Sequence, residues 1–243
     1  VTAPSMGITG EKNNKRADNA IKKLEEIGYK IKETKSTRVI EKGRSTTGMQ
    51  RAIELTELWS DNDIKSIICA EGGDFLCEML EYLDLEKLKN SEPKWIQGYS
   101  DITNLGYVFT LNLDIATIYG PNFKSYGMIN WHESLTNSLR LMKKEEFIQN
   151  SYELHEEFTG WDNEESVVEE NPYEEYKLTK KVNWINLNGE PKIEFSGRCI
   201  GGCLDVVKDL IGTKYDKVKE YIQKYKNDGI VWFLESFETS TPG

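Results

Sequence analysis

The sequence predicts an α/β protein, with an N-terminal parallel sheet flanked by helices and a second, α/β or β-rich part toward the C-terminus. Three observations predict it. Strand-like and helix-like segments alternate several times over the first 110 residues, the pattern of repeated βαβ units. The apolar run from Ile64 to Ala70 leads straight into Glu71-Gly72-Gly73-Asp74, a glycine turn at the end of a buried strand. Ser100 stands between a short buried strand, Trp95-Ile96, and a stretch from Ile102 to Leu111 that can be helical. In open sheets of this class ligands bind at the carboxyl ends of strands, where both Gly72-Gly73 and Ser100 fall.

Each element has its own warrant. Val1 to Pro4 reads as the end of a strand. Asn14 to Ile27 carries Ala17, Ala20, Ile21, Leu24 and Ile27 at helical spacing, and Gly28 stops that helix. Tyr29 to Lys32 alternates like a strand, and a basic loop through Arg38 and Arg44 follows. Thr47 to Trp59 is a second helix, with Met49, Ala52, Ile53 and Leu55 available for its inner face. A third helix is expected from Phe75 to Tyr82. After the Ser100 stretch, Tyr119-Gly120-Pro121 marks another strand end and Glu133 to Phe147 another helix. Leu154 to Tyr176 is strongly acidic and reads as a solvated linker or lid. Trp161 and Tyr173 inside it either stack on a planar ligand or anchor the loop. Asn183 to Ile185 and Lys192 to Phe195 form a hairpin about Asn188-Gly189. Gly201-Gly202-Cys203-Leu204 opens a helix ending near Gly212, and Val218 to Tyr225 is another. Ile230 to Leu234 is a buried strand ending at Glu235, a carboxylate that is either a surface strand end or a site residue.

Composition narrows the function. With 38% hydrophobic and 30% charged residues over 243 positions, the chain is globular. A net charge of −10 argues against a nucleic acid polymer as partner, and no apolar run approaches a membrane span. The four cysteines, Cys69, Cys77, Cys199 and Cys203, lack zinc or redox spacing and read as reduced, mostly buried thiols in a cytoplasmic protein. No P-loop or dinucleotide fingerprint is present, so a nucleotide cofactor is not indicated, and the cysteine spacing indicates no metal.

A serine in a tight strand-to-helix turn is the layout of a nucleophile elbow, where the next backbone N–H can face an oxyanion. Here Gly98-Tyr99-Ser100-Asp101-Ile102 departs from G-x-S-x-G at its last position. Taken alone the match is weak and favours a serine serving only as an N-cap; its place at the carboxyl end of a strand brings the functional reading level with it.

Taken together, Ala3-Pro4-Ser5, Gly72-Gly73, Lys94-Trp95-Ile96-Gln97-Gly98-Tyr99-Ser100-Asp101-Ile102-Thr103 and the run from Gly201-Gly202-Cys203-Leu204 through Gly212-Thr213 to Leu234-Glu235 resemble the LD-carboxypeptidases. These are serine peptidases that include the microcin C immunity proteins. The motifs cover nearly the whole chain, and Gly72-Gly73-Asp74, the Gly-Tyr-Ser-Asp turn and Tyr119-Gly120-Pro121 look closer to the immunity branch. The resemblance implies Ser100 as nucleophile, an oxyanion hole from the N–H of Asp101 with that of Gly72 or Gly73, and Glu235 as the acid orienting a histidine. It implies hydrolysis of the terminal amide of L,D-linked muropeptides, or of the bond between a peptide's last aspartate and a nucleotide phosphoramide. A tryptophan stacking on the base is implied for the second substrate, with Trp161 and Trp184 as candidates. A homodimer is also implied.

One departure matters. The family's catalytic histidine lies beyond the acid, whereas the two histidines here are His132 and His155, each expected to be a surface or capping residue. With Val1 at its start and Gly243 eight positions past Glu235, the chain is expected to be shortened at both ends, its C-terminal part incomplete. It is then weakly active or inactive as it stands. The expected division is a nucleophile-bearing part over 1–150, an acidic connector over 151–180 and a second part over 181–243, with the site between them. Two other classes stay open: a binding protein that sequesters a peptide or peptidyl-nucleotide without cleaving it, and a doubly wound scaffold with no hydrolytic role.

Overall fold

The computed structural model describes residues 1–156, 171–190 and 192–236. Helix α1 (Glu11–Glu26) buries Ala17, Ala20 and Leu24, an i, i+3, i+7 stripe. The stripe packs near the 3₁₀ turn Phe123–Gly127, where Gly127 lies so close that a Cβ would sit 1.9 Å from the Arg16 carbonyl. Helix α2 (Gly48–Ser60) is capped by the Thr47 hydroxyl, which accepts from the Gln50 N–H. Its inner face differs from expectation. Met49 and Ile53 are exposed, while Arg51, Ala52, Glu54, Leu55, Leu58 and Trp59 are buried. The two buried charges are compensated: Arg51 pairs with Glu78 and two carbonyls, and Glu54 accepts from Ser36. Apolarity alone therefore misplaced the face.

Strands β1 (Ser66–Ile68), β2 (Trp95–Gly98) and β3 (Ile118–Tyr119) form a parallel sheet in that order, with Ile67 opposite Ile96 and Gly98 opposite Tyr119. Thr2 bridges Cys69 in parallel fashion and extends the sheet at the chain's beginning. Tyr29 to Lys32 is not a strand. It runs beside the chain start, where the Val1 amine donates to the Lys32 carbonyl and Thr34 N–H to the Val1 carbonyl, without a ladder. The helix expected from Phe75 to Tyr82 is shorter, α3 (Cys77–Leu80), and a second short helix, α4 (Leu85–Lys89), follows it. The Leu76 N–H goes to the Asp101 carboxylate, and Asp84 caps α4 by accepting from Lys87. The helical stretch after Ser100 is composite: a 3₁₀ turn over Ser100–Ile102, α5 (Thr103–Val108) and a π turn over Phe109–Leu113 closed by Asp114 at φ 60°.

Helix α6 (Glu133–Met142) stops short of Phe147, with Lys144 in left-handed backbone just past its end. Strand β4 (Leu154–Glu156) pairs antiparallel with β5 (Leu178–Lys181). The hairpin expected over 183–195 does not form among the described residues, although its turn closes through Gly189 N–H to the Asn186 carbonyl. Trp184, Ile185 and Phe195 are all more than 70% exposed, so no buried face exists to fix a register.

Strand β6 (Arg198–Cys203) runs into α7 (Leu204–Leu210), then α8 (Val218–Lys224), then β7 (Ile230–Glu235), which pairs parallel with β6 so that Cys203 faces Glu235. Strand β7 is not the buried strand its composition suggests: Trp232 and Leu234 are exposed. One apolar cluster joins Leu55, Trp59, Ile96, Leu105 and Phe109 to Ile200, Val207, Leu210 and Tyr221. Cys69 and Cys203 are buried, but Cys77 and Cys199 are exposed, so half rather than most of the thiols are covered. Among the described residues no helix is long and apolar enough to cross a membrane.

Candidate active site

The chain leaves β2 at Gly98, whose place cannot be taken by a larger residue: a Cβ there would sit 2.7 Å from Ile102 Cγ2 and 2.9 Å from Asn122 Oδ1. Asn122 Oδ1 accepts from the Tyr99 N–H. Ser100 then adopts φ 62°, the left-handed region that a non-glycine residue occupies only when its surroundings enforce it. The 3₁₀ turn and α5 follow at once. This is the geometry of a sharp strand-to-helix elbow with the serine at its apex.

Asp101 turns inward and is 3% exposed. Its Oδ2 accepts from Ser5 Oγ at 2.5 Å and from the Leu76 N–H at 2.8 Å, and its Oδ1 accepts from Asn104 Nδ2 at 2.8 Å. Burial pushes this carboxyl above its usual range, and the three donors oppose that shift. The carboxylate thereby ties the elbow to two other loops, one carrying Ser5 and one carrying Gly72-Gly73. Gly72 lies directly against the serine: a Cβ on it would stand 3.1 Å from both Ser100 Cβ and Oγ. Gly73 (φ 141°) instead faces Ser5 and Met6.

Glu235 ends β7 and meets the elbow through an intermediary. The Tyr119 hydroxyl donates to Glu235 Oε1 at 2.5 Å and accepts from the Ser100 N–H at 3.2 Å. Burial and the Glu235 carboxylate push the Tyr119 phenol well above its ordinary range, keeping it protonated. Its ring leans on Phe233 with centroids 5.4 Å apart. Cys203, the strand partner of Glu235, donates its N–H to Thr103 Oγ1 at 3.0 Å, and its thiol is pushed up to about 11, chiefly by burial. Beside these groups a cleft of about 570 Å³ opens between β2–β3 and β6–β7, lined in part by Gly98, Ile102, Thr103, Tyr119, Gly201 and Phe233.

The structure thus brings Ser100, Asp101, Gly72 and Glu235 together. It does not bring in the histidines. His132 caps α6, accepting from the Ser134 N–H, and packs against Tyr152 and Tyr176. His155 sits in β4 with its ring on the Glu156 carbonyl. Trp184 is 76% exposed in irregular backbone, and Trp161 lies outside the described residues. Sequence reasoning gave no site role to Tyr119, Ser5, Asn104 or Thr103, although Ser5, Thr103 and Tyr119 stand in the motifs Ala3-Pro4-Ser5, Lys94 to Thr103 and Tyr119-Gly120-Pro121.

Residues 1–120 match the LD-carboxypeptidase N-terminal domain family. The microcin C7 self-immunity protein MccF of Escherichia coli is 30% identical over 198 residues, covering 79% of this chain and 55% of that protein. The chain therefore spans little more than half the length of that curated relative. The fold is similar to an MccF-like protein from Bacillus anthracis, with TM-score 0.73 at 24% identity over 97% of this chain and 65% of the other. It is also similar to MccF in complex with aspartyl sulfamoyl adenosine, with TM-score 0.68 at 25% identity over 88% of this chain and 62% of the other.

Proposed function

The chain belongs to the LD-carboxypeptidase family, and from that premise we propose that it is a serine peptidase that hydrolyses the terminal amide of a small peptide. The substrate is an L,D-linked muropeptide or a peptidyl-nucleotide of the microcin C type. Ser100 Oγ attacks the amide carbonyl. The N–H of Asp101, with that of Gly72 or Gly73, receives the developing oxyanion. In the family's scheme a histidine takes the serine proton and passes it to the departing amine as the tetrahedral intermediate collapses, then takes a proton from the water that releases the acyl group. Glu235 is the acid that orients that histidine, a base that neither His132 nor His155 supplies from its place here. The observation that carries this reading is the left-handed serine at the strand-to-helix turn, pressed against Gly72 and joined to Glu235 through one phenol.

Between the two substrates, the MccF structure with an aspartyl nucleoside analogue favours the peptidyl-nucleotide. The exposed Trp184 is available to stack on a base. The four unpaired cysteines support a reducing compartment, the cytoplasm, and a homodimer belongs to the same reading, C₂ dimers being the commonest soluble oligomers generally. The division at about 150 and 180 belongs to the same reading.

The contacts of His132 and His155 lie elsewhere. Turnover by this polypeptide alone is therefore slow, because a serine hydroxyl is a weak nucleophile without a base. The same observation favours a second reading, a protein that holds the substrate without cleaving it. Mass spectrometry separates them. The chain is incubated with an L,D-tetrapeptide ending in D-alanine and with a peptidyl-aspartyl nucleotide, each beside Ser100→Ala. Product lost in the variant supports the peptidase. Tight binding with no product from either substrate overturns it in favour of sequestration.

A further inference from the structure

We infer that Tyr119 is a positioning residue that fixes the serine backbone and the acid of this site to each other through a single phenol. The inference rests on the peptidase reading for its kinetic consequences, but its structural content stands apart from it. A phenol oxygen can accept two hydrogen bonds and donate one. The Tyr119 oxygen accepts from the Ser100 N–H and donates its proton to Glu235 Oε1. At the start of α5, Thr103 accepts from the N–H of Cys203, which faces Glu235 across the β6–β7 ladder. The ring leans on Phe233, two residues before the acid, and the backbone of Tyr119 is fixed by its pairing with Gly98 at the base of the elbow.

The phenol does two jobs in this arrangement. It gives the Ser100 amide a partner in the strained left-handed conformation. It also gives the Glu235 carboxylate a fixed direction that does not depend on a histidine. Burial and the neighbouring carboxylate keep the phenol protonated, so it orients groups and does not accept the serine proton.

The test uses the full chain and Tyr119→Phe, with two readouts. The first is hydrolysis of the two substrates above: kcat falls about tenfold or more while KM stays within roughly twofold, because the phenol touches serine and acid rather than substrate. The second is amide hydrogen exchange: the Ser100 amide exchanges about tenfold faster, the equivalent of one lost hydrogen bond, while the Ile67 amide in β1 is unchanged. Unchanged Ser100 exchange in the folded variant overturns the proposal, as does a raised KM with kcat intact. If the unmutated chain releases no product, the peptidase reading fails and exchange alone decides the positioning role. If Tyr119→Phe does not fold, the unmutated chain decides by NMR. A slowly exchanging, downfield Tyr119 hydroxyl proton supports the role, and a hydroxyl in fast exchange with water overturns it.

Discussion

Gly72 and Ser100 are in contact to the point that a methyl on the glycine would stand 3.1 Å from the serine's Cβ and Oγ. Gly72 is not among the positive-φ glycines, so its backbone accepts alanine without strain. Gly72→Ala is therefore expected to leave the unfolding free energy within about 1 kcal/mol of the parent while pushing the hydroxyl aside. Hydrolysis should fall by a factor on the order of 100. Chemical denaturation beside product release checks both halves, and equal loss of both would mean that the glycine serves packing only.

The Ser100 backbone carries strain that its side chain does not relieve. Ser100→Gly is expected to stabilise the fold by about 1 kcal/mol, and Ser100→Ala, which keeps the Cβ, is not. Both should abolish hydrolysis. Urea titrations of the two variants give the comparison, and a glycine variant no more stable than the alanine one would remove the argument for a strained nucleophile.

Asp101 joins three segments through Ser5, Leu76 and Asn104. Truncation in Asp101→Ala is expected to cost about 3 kcal/mol. Its pH behaviour has a defined sign. Burial raises the folded carboxyl above its usual range, whereas the unfolded chain titrates near ~3.9. The folded state thus keeps the proton to higher pH. The associated stability is complete below the unfolded value and is lost as pH rises through the folded one. The stability difference between parent and Asp101→Asn should move in the parent's favour as pH falls from about 7 to about 4. The opposite slope would show that the three donors outweigh burial.

Arg51 is fully buried and bonds Glu78 at 2.7 Å together with the Pro4 and Phe75 carbonyls. It braces the same two loops that Asp101 holds. Glu78→Gln leaves a buried guanidinium short of its counter-charge, and a loss of about 2 kcal/mol is expected. Thermal unfolding of Glu78→Gln alone and with Arg51→Met measures it, and the pair should be less than additive.

What the sequence disclosed and what it hid have separate physical causes. Strand ends, the glycine turn and Ser100 were legible because turn chemistry is local: φ signs and apolar runs are written within a few residues. The α2 face was not, because Arg51 and Glu54 are buried only through partners far along the chain, and Met49 and Ile53 looked the better core candidates. The hairpin over 183–195 had a correct turn and no buried face to sustain it. Tyr119 could not be recognised as the link between Ser100 and Glu235, since nothing in its neighbourhood reports a residue 116 positions away.

That same separation bears on how the molecule reaches working order. The Tyr119–Glu235 bond closes a loop whose entropic penalty grows only with the logarithm of its length, but a lone hydrogen bond does not meet even that. The apolar cluster shared by residues 52–113 and 200–221 does. The site therefore depends on that core for its assembly. Substitutions that loosen distant core positions will lower the number of molecules with a complete site, and bulk assays will record that shortfall in headcount as a slower enzyme.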